Sequence, residues 1–293
     1  MIITLTCPDY TASIDSLGAQ LISLKDHAGK EYVWQRDLAY WKNCSPLLFP
    51  AVGNCRDGKT LFEGRWYEMP KHGFCKDTDF AVTSQTDSSV CFTITSTDKT
   101  REVYPYEFNL SLTYSLTADG LSMDYEVSNT DSRDICYCLG AHPGFNLPLF
   151  EGEAFSDYQL EFEQTENTSS MVYDLVNHQF DVNRRLDILN NTNVLPLTYG
   201  LFDNDAVFFD QLKSRKVSII HPVTRKGIEV DFEGFETVAF WTPDHKEAPF
   251  LCVEPWNGSA IRSDEDDEFL HKKFIQILKP QEVKSYHLGI RVL

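Results

Sequence analysis

The 293-residue chain is poor in positive charge. Against 44 Asp and Glu stand 26 Lys and Arg, a formal net charge of −18 at pH 7, and no run of Lys and Arg interrupts that acidity. A surface of this sign repels phosphate backbones and anionic lipid, so neither nucleic acid nor a membrane is expected as a partner. Long apolar runs are missing as well. Stretches such as Pro46–Val52 fall far short of the roughly 18 residues a spanning helix needs. The amino terminus, beginning Met1-Ile-Ile-Thr-Leu-Thr-Cys-Pro8, has neither a basic segment nor an apolar core ending in small residues. It does not read as a secretory signal, and a cytoplasmic protein is expected. No Pro/Gly/Ser-rich linker and no repeat of fixed period divides the chain, which points to one domain over residues 1–293 and away from a propeller. The motifs G-x-G-x-x-G, G-x-x-x-x-G-K and G-x-S-x-G are absent, so dinucleotide folds, P-loop enzymes and α/β-hydrolases are disfavoured.

What is present is an ordinary globular composition, 42% hydrophobic and 24% charged, which excludes a disordered chain. Period-two alternation dominates. Phe108, Leu110, Leu112, Tyr114 and Leu116 interleave with Asn109, Ser111, Thr113 and Ser115. After Ala118-Asp119-Gly120 the alternation resumes with Leu121, Met123, Tyr125 and Val127. This is the pattern of a half-buried β-hairpin. Shorter alternations at 90–95, 217–220, 228–232 and 286–292 extend it to a mostly antiparallel β protein. Helical signals are few: an acidic start at Ser263–Glu268 leading into Phe269, and a turn or two around Tyr173–Arg185. Eight cysteines are spread from Cys7 to Cys252 without the dense spacing of a secreted scaffold and read as free thiols.

Three segments break the alternation, each with a titratable group beside Gly or Pro. They are Pro70-Lys71-His72-Gly73-Phe74, Gly140-Ala141-His142-Pro143-Gly144-Phe145-Asn146 and Cys252-Val253-Glu254-Pro255-Trp256-Asn257-Gly258. His142 follows the strand-like Ile135–Leu139, where a strand end delivers a side chain to a loop. Glu254 closes the apolar run Pro249–Val253, and a carboxylate buried there needs a partner or a role. Two imidazoles, a carboxylate and aromatic faces in one concavity suit a polyol.

Taken together with Phe49-Pro50-Ala51-Val52-Gly53-Asn54, the segments His72-Gly73-Phe74, His142-Pro143-Gly144-Phe145-Asn146 and Glu254-Pro255-Trp256-Asn257-Gly258 resemble the aldose 1-epimerase (mutarotase) family, in its LacX-like bacterial branch. The resemblance implies an all-β fold, a large antiparallel β-sandwich of the galactose mutarotase-like type with few short helices. It also implies a sugar cleft across one sheet, without metal or cofactor. The implied activity is interconversion of the α and β anomers of a free hexose such as galactose or glucose. By motif, Glu254 takes the position of the general base and His142 that of the general acid, and each needs a pKa within reach of neutrality. His72 takes the position of a second, sugar-binding histidine. A hydroxyl-gripping aspartate falls in Asp203-Asn204-Asp205-Ala206-Val207-Phe208, with Asp205 preferred over Asp203 because of its spacing to Phe208. A sugar-binding arginine is expected just after Phe-Pro-x-x-Gly. Here Asn54 stands in that position and Arg56 lies two residues on, so either residue is a candidate for the contact.

Other readings carry distinct signatures. A zinc hydrolase would draw on Cys136-x-Cys138-x-x-x-His142 and His72-x-x-Cys75, but this spacing fits no standard zinc pattern. A non-catalytic sugar-binding protein on the same fold would need hydroxyl contacts but not both His142 and Glu254. A hexose-phosphate mutarotase would use added cations, for which Arg56, Lys71 and Lys76 are the candidates.

Overall fold

The computed structural model describes residues 1–293. Where alternation is cleanest, the strands form as the pattern requires. Phe108–Thr117 pairs antiparallel with Gly120–Asn129, matching Leu116 with Leu121 and Tyr114 with Met123. The apolar members of both strands are buried, and the polar members other than Asn129 are partly or fully exposed. Ser89–Thr95 and Val283–Val292 flank this hairpin, and each brings its own alternate residues to the same inner face. Burying one Leu, Val or Phe of such a row stabilises the fold by about 1.5–3 kcal/mol.

The chain is all-β. Fifteen strands form one large antiparallel sheet. Its path runs from Leu47–Leu48 through Leu139–Ala141, Phe250–Asn257, Thr237–Trp241, Val207–Phe209 and Gln159–Asp174, then through Lys216–Ile220 and Gly227–Asp231 to Val283–Val292 and the hairpin, and ends at Ala81–Gln85. A three-stranded sheet, Ile2–Thr6, Tyr10–Asp15 and Gln20–Asp26, covers the inner face of the hairpin end. There the Tyr114 hydroxyl, fully buried, donates to the Ala19 carbonyl at 2.7 Å. Between the layers lies a continuous core of 79 buried apolar residues, in which the Phe49 ring contacts those of Tyr104, Phe108 and Tyr137. Helix is limited to Asp98–Arg101, closed by a reciprocal Thr97–Thr100 capping box, and a few 3-10 turns.

Two helical expectations fail for identifiable reasons. Tyr173–Arg185 is the tip of a long hairpin, Gln159–Asp174 against Gln179–Pro196, whose repeated register shifts erase the period-two signal. Ser263–Glu268 stays a loop apart from the single turn Phe269–His271. Its carboxylates are engaged by Arg262, Lys272, Arg56 and backbone amides instead of opening a helix. Six of the eight cysteines are buried, and all eight are free thiols.

Candidate active site

One register places the central pair. Leu139–Ala141 and Gly144–Asn146 are two halves of a single interrupted strand beside Phe250–Asn257. Gly140 opposes Trp256 on one side of the break and Gly144 opposes Cys252 on the other. The same count puts His142, in the break, opposite Glu254. Pro143 has no amide to offer the ladder, but its carbonyl accepts the Val253 amide at 3.0 Å, which keeps the two halves in step. Glu254 therefore lies in mid-strand, not at the strand end that the apolar run suggested.

His142 Nε2 and Glu254 Oε2 meet at 3.0 Å, with side chains only 8% and 3% exposed. At that burial the contact must hold a proton. Burial pushes the His142 imidazolium down and the Glu254 carboxyl up, with Asp205 adding to the rise at Glu254. Either tautomer of the pair, imidazolium with carboxylate or imidazole with carboxylic acid, is net neutral, so one shared proton suits a buried site. No carboxylate orients His142 from behind: its Nδ1 is buried without a protein partner. Packing holds the ring. Trp41 stacks on it at 4.8 Å and 26°, and Trp241 and His72 meet it edge-on at 5.7 and 5.6 Å.

His72 is delivered from the opposite side. Gly73 forms a parallel bridge with Phe49, at φ +68, and an added Cβ would lie 2.1 Å from the Phe49 carbonyl oxygen. Only glycine permits this approach. The preceding residue, His72, also sits at positive φ, and its amide donates to the Gly53 carbonyl at 2.7 Å. In return the Gly53 amide donates to His72 Nδ1 at 3.1 Å. That bond fixes the tautomer: Nδ1 accepts, so Nε2 carries the proton of a neutral ring. Burial, with His142 and the nearby lysines, pushes the His72 imidazolium down and favours that form.

Asp205 comes from the far side, in the turn before Val207–Phe209, at φ +72. Its Oδ1 accepts the Trp241 indole N–H at 3.0 Å, and desolvation pushes its carboxyl up. These side chains line one open cavity of about 330 Å³, together with Trp41, Asn54, Lys71, Tyr173 and Trp256. His72, His142, Glu254, Asp205 and Asn54 are thus brought together. Arg56 is not: its guanidinium points away, bound by Asp267, Gln179 and the Glu265 carbonyl at 3.1 Å each. Asp203 is exposed and faces His245. Cys136 and Cys138 lie outside the cavity, but Cys252, two residues before Glu254 on the same strand face, brings a thiol near the pair. The ligand atoms of His142, Cys252 and Glu254 lie within 4.8 Å of one another and make up the group able to hold a metal. Trp41, Trp241 and Tyr173 were not anticipated. None carries a motif, and each arrives from a loop or strand distant in sequence.

A model of the aldose 1-epimerase family matches residues 1–291. The chain belongs to the aldose 1-epimerase family. Its relatives include the plasmid-borne protein LacX of Lactococcus lactis subsp. lactis, 34% identical over 290 residues and covering 96% of each chain. A galactose mutarotase-like protein from Lactobacillus casei ATCC 334 superposes over 100% of both chains with a TM-score of 0.93 and 32% identity. A galactose mutarotase related enzyme from Lactobacillus acidophilus also gives a TM-score of 0.93, with 27% identity, over 100% of this chain and 97% of that one. Membership in the aldose 1-epimerase family implies a sugar-binding site and isomerase chemistry.

Proposed function

We propose that this protein is an aldose 1-epimerase that interconverts the α and β anomers of a free hexose such as galactose or glucose. The observation that carries the reading is the 3.0 Å contact between His142 Nε2 and Glu254 Oε2 in the wall of an open cavity. Ring opening removes a proton from the O1 hydroxyl and adds one to the ring oxygen. An acid and a base that share one proton do both without a net change in charge. With the anomeric centre against the pair, Glu254 takes the O1 proton and His142 protonates the ring oxygen. The aldehyde then turns about C1–C2, and the two groups reverse roles as the ring recloses on the other face.

His72 presents a neutral Nε2–H to the sugar and stabilises charge developing on oxygen without adding a cation of its own. Asp205, anchored by Trp241, accepts from sugar hydroxyls. Asn54 takes the place of the expected arginine, and Arg56 has no part because its donors are used elsewhere. Lys71 and Lys76 line the cavity. Lys76 is paired with Asp77, whereas Lys71 has no ion pair and favours hexose phosphates as the second reading. Polarimetry on freshly dissolved α-glucose and α-galactose, beside glucose 6-phosphate, tests both. Acceleration of the free sugars is expected. A rate equal to the buffer blank for all three would remove the enzymatic reading.

A further inference from the structure

Cys252 is a buried free thiol that the proposed reaction leaves unused. It stands two residues before Glu254 on the strand Phe250–Asn257, so both side chains leave the same face. Across the ladder it opposes Gly144, which has no Cβ to fill the space; one placed there would lie 3.3 Å from the Cys252 sulfur. The thiol is thereby left beside the acid–base pair. Its sulfur, a His142 ring nitrogen and a Glu254 carboxylate oxygen all lie within 4.8 Å of one another. We propose that these three side chains form a site for a divalent cation of the Zn²⁺ type, and that its occupancy shuts the epimerase. This rests on the epimerase reading and adds a means of regulation to the same site.

The donors select the ion. Imidazole nitrogen, thiolate and carboxylate oxygen are the ligands Zn²⁺ takes in tetrahedral sites that keep one position open. Mg²⁺ and Ca²⁺ prefer oxygen alone and are poorly served by a sulfur. Tetrahedral bonds of about 2.0–2.3 Å place the ligand atoms about 3.3–3.6 Å apart. The 3.0 Å contact between His142 and Glu254 would open by about 0.3 Å, and the sulfur would approach by at most about 1.2 Å. Both shifts are within reach of side-chain rotation. The fourth position faces the sugar cavity, which His142 and Glu254 line.

Charge balances in both states. Without metal, His142 and Glu254 share one proton and Cys252 holds a second, which burial and the neighbouring Glu254 carboxylate keep in place. That group is neutral. A bound Zn²⁺ displaces both protons to solvent and leaves thiolate, carboxylate and neutral imidazole around two positive charges, again neutral, so no net charge is buried. The cation then occupies the lone pairs with which the pair moves the sugar's protons, and ring opening stops. A resident metal needs more than this site offers. With Nε2 on the cation, His142 Nδ1 has no carboxylate or carbonyl to orient it. The arrangement suits a cation that binds and leaves, not a permanent cofactor.

The test follows galactose polarimetry and Co²⁺ absorption in chelator-treated wild type, Cys252→Ser and Cys252→Ala. Wild type should be fully active without metal, lose its activity as one Zn²⁺ binds per chain, and regain it with EDTA, while Mg²⁺ does nothing. Co²⁺ should bring up a near-ultraviolet thiolate-to-cobalt band that excess Zn²⁺ removes. Both cysteine variants should lack the band and keep metal-free kcat/KM within about twofold. Half-inhibition should need at least about a hundredfold more Zn²⁺ in them, beyond the 10–100-fold cost of losing an outer-shell partner. Glu254→Gln, expected to fold as wild type does, should lose the band too, which keeps the test decisive if a cysteine variant misfolds. A Co²⁺ spectrum without the band, inhibition unchanged in both cysteine variants, or a rate that rises with Zn²⁺ would overturn the site. No turnover of galactose or glucose in metal-free wild type would remove the epimerase reading, whereas the cobalt band and its loss in Cys252→Ser decide the metal site independently.

Discussion

Replacing Glu254 by Gln separates catalysis from stability, because the two respond in opposite directions. Glutamine keeps the shape and a hydrogen bond to His142 but accepts no proton. Loss of a positioned general base costs roughly a hundredfold to ten-thousandfold in rate, or about 3–5 kcal/mol of transition-state stabilisation. The fold should not suffer. Burial holds the folded-state pKa of Glu254 above its unfolded value, so the stability this carboxyl contributes is complete below about pH 4 and is lost as pH rises through the folded-state pKa. A neutral amide is free of that loss. Glu254→Gln should therefore melt at or above the wild-type temperature at pH 8, while its polarimetric kcat falls at least a hundredfold. His142→Asn should lose a similar factor. The double variant should be within about tenfold of the worse single one, because an acid and base that share a proton act as a unit. A Glu254→Gln protein that keeps more than a tenth of wild-type kcat, or one that unfolds several degrees earlier, would refute the reasoning. The first result would place the base elsewhere. The second would make Glu254 a structural anion.

His72→Asn should raise KM more than it lowers kcat and leave measurable turnover, since its neutral Nε2–H binds but gives up no proton; steady-state polarimetry on galactose decides this, and a complete loss of kcat would make His72 part of the acid–base machinery. Gly73→Ala should destabilise the chain by several kcal/mol, because its Cβ would meet the Phe49 carbonyl oxygen at 2.1 Å and φ is +68; denaturant unfolding with an unchanged midpoint would show that the bridge to Phe49 is dispensable. Asp131 is buried and bound by Arg133 and the amides of Glu107 and Arg133, which lower its carboxyl to about 2. This depressed value contributes about 2 kcal/mol above the unfolded pKa near 4, lost as pH falls through 2. Asp131→Asn should therefore cost about that much at pH 7, with the gap to wild type narrowing below pH 4; a gap independent of pH would assign the cost to packing.

Much of the architecture is legible in the sequence because a half-exposed strand must alternate, and 108–116 and 121–127 both do so. The catalytic candidates are legible for the opposite reason: Gly140, Pro143 and Gly144 interrupt a strand that would otherwise continue, and His142 sits in the interruption. What surrounds them is not legible. Trp41 and Trp241 belong to no motif, yet they are the rings that hold His142. Their meeting depends on sheet order, which joins Leu139–Ala141 to Phe250–Asn257 and that strand to Thr237–Trp241. Burial of charge is equally hidden. Within the acidic stretch 151–166, Glu166 is 1% exposed and accepts the Ser214 hydroxyl and the amides of Lys213 and Ser214. A buried carboxylate with such partners satisfies local backbone donors that no periodicity reveals.

The interruption at His142-Pro143 also explains how a site this dependent on one 3.0 Å contact survives in a sheet of fifteen strands. A register slip of one residue would turn either side chain to the opposite face. The register is set twice, at Gly140–Trp256 and at Gly144–Cys252, on both sides of the break. Glycine at 140 leaves room for Trp256, whose Cδ1 would lie 2.6 Å from a Cβ placed there. Between these two fixed points the ladder can relax at His142 without losing count, and the ring is then free to take its orientation from Trp41, Trp241 and His72. Position along the strand is thus assigned to the backbone and orientation to aromatic packing. A histidine placed this way needs no carboxylate behind it, which leaves Glu254 to serve as its proton partner.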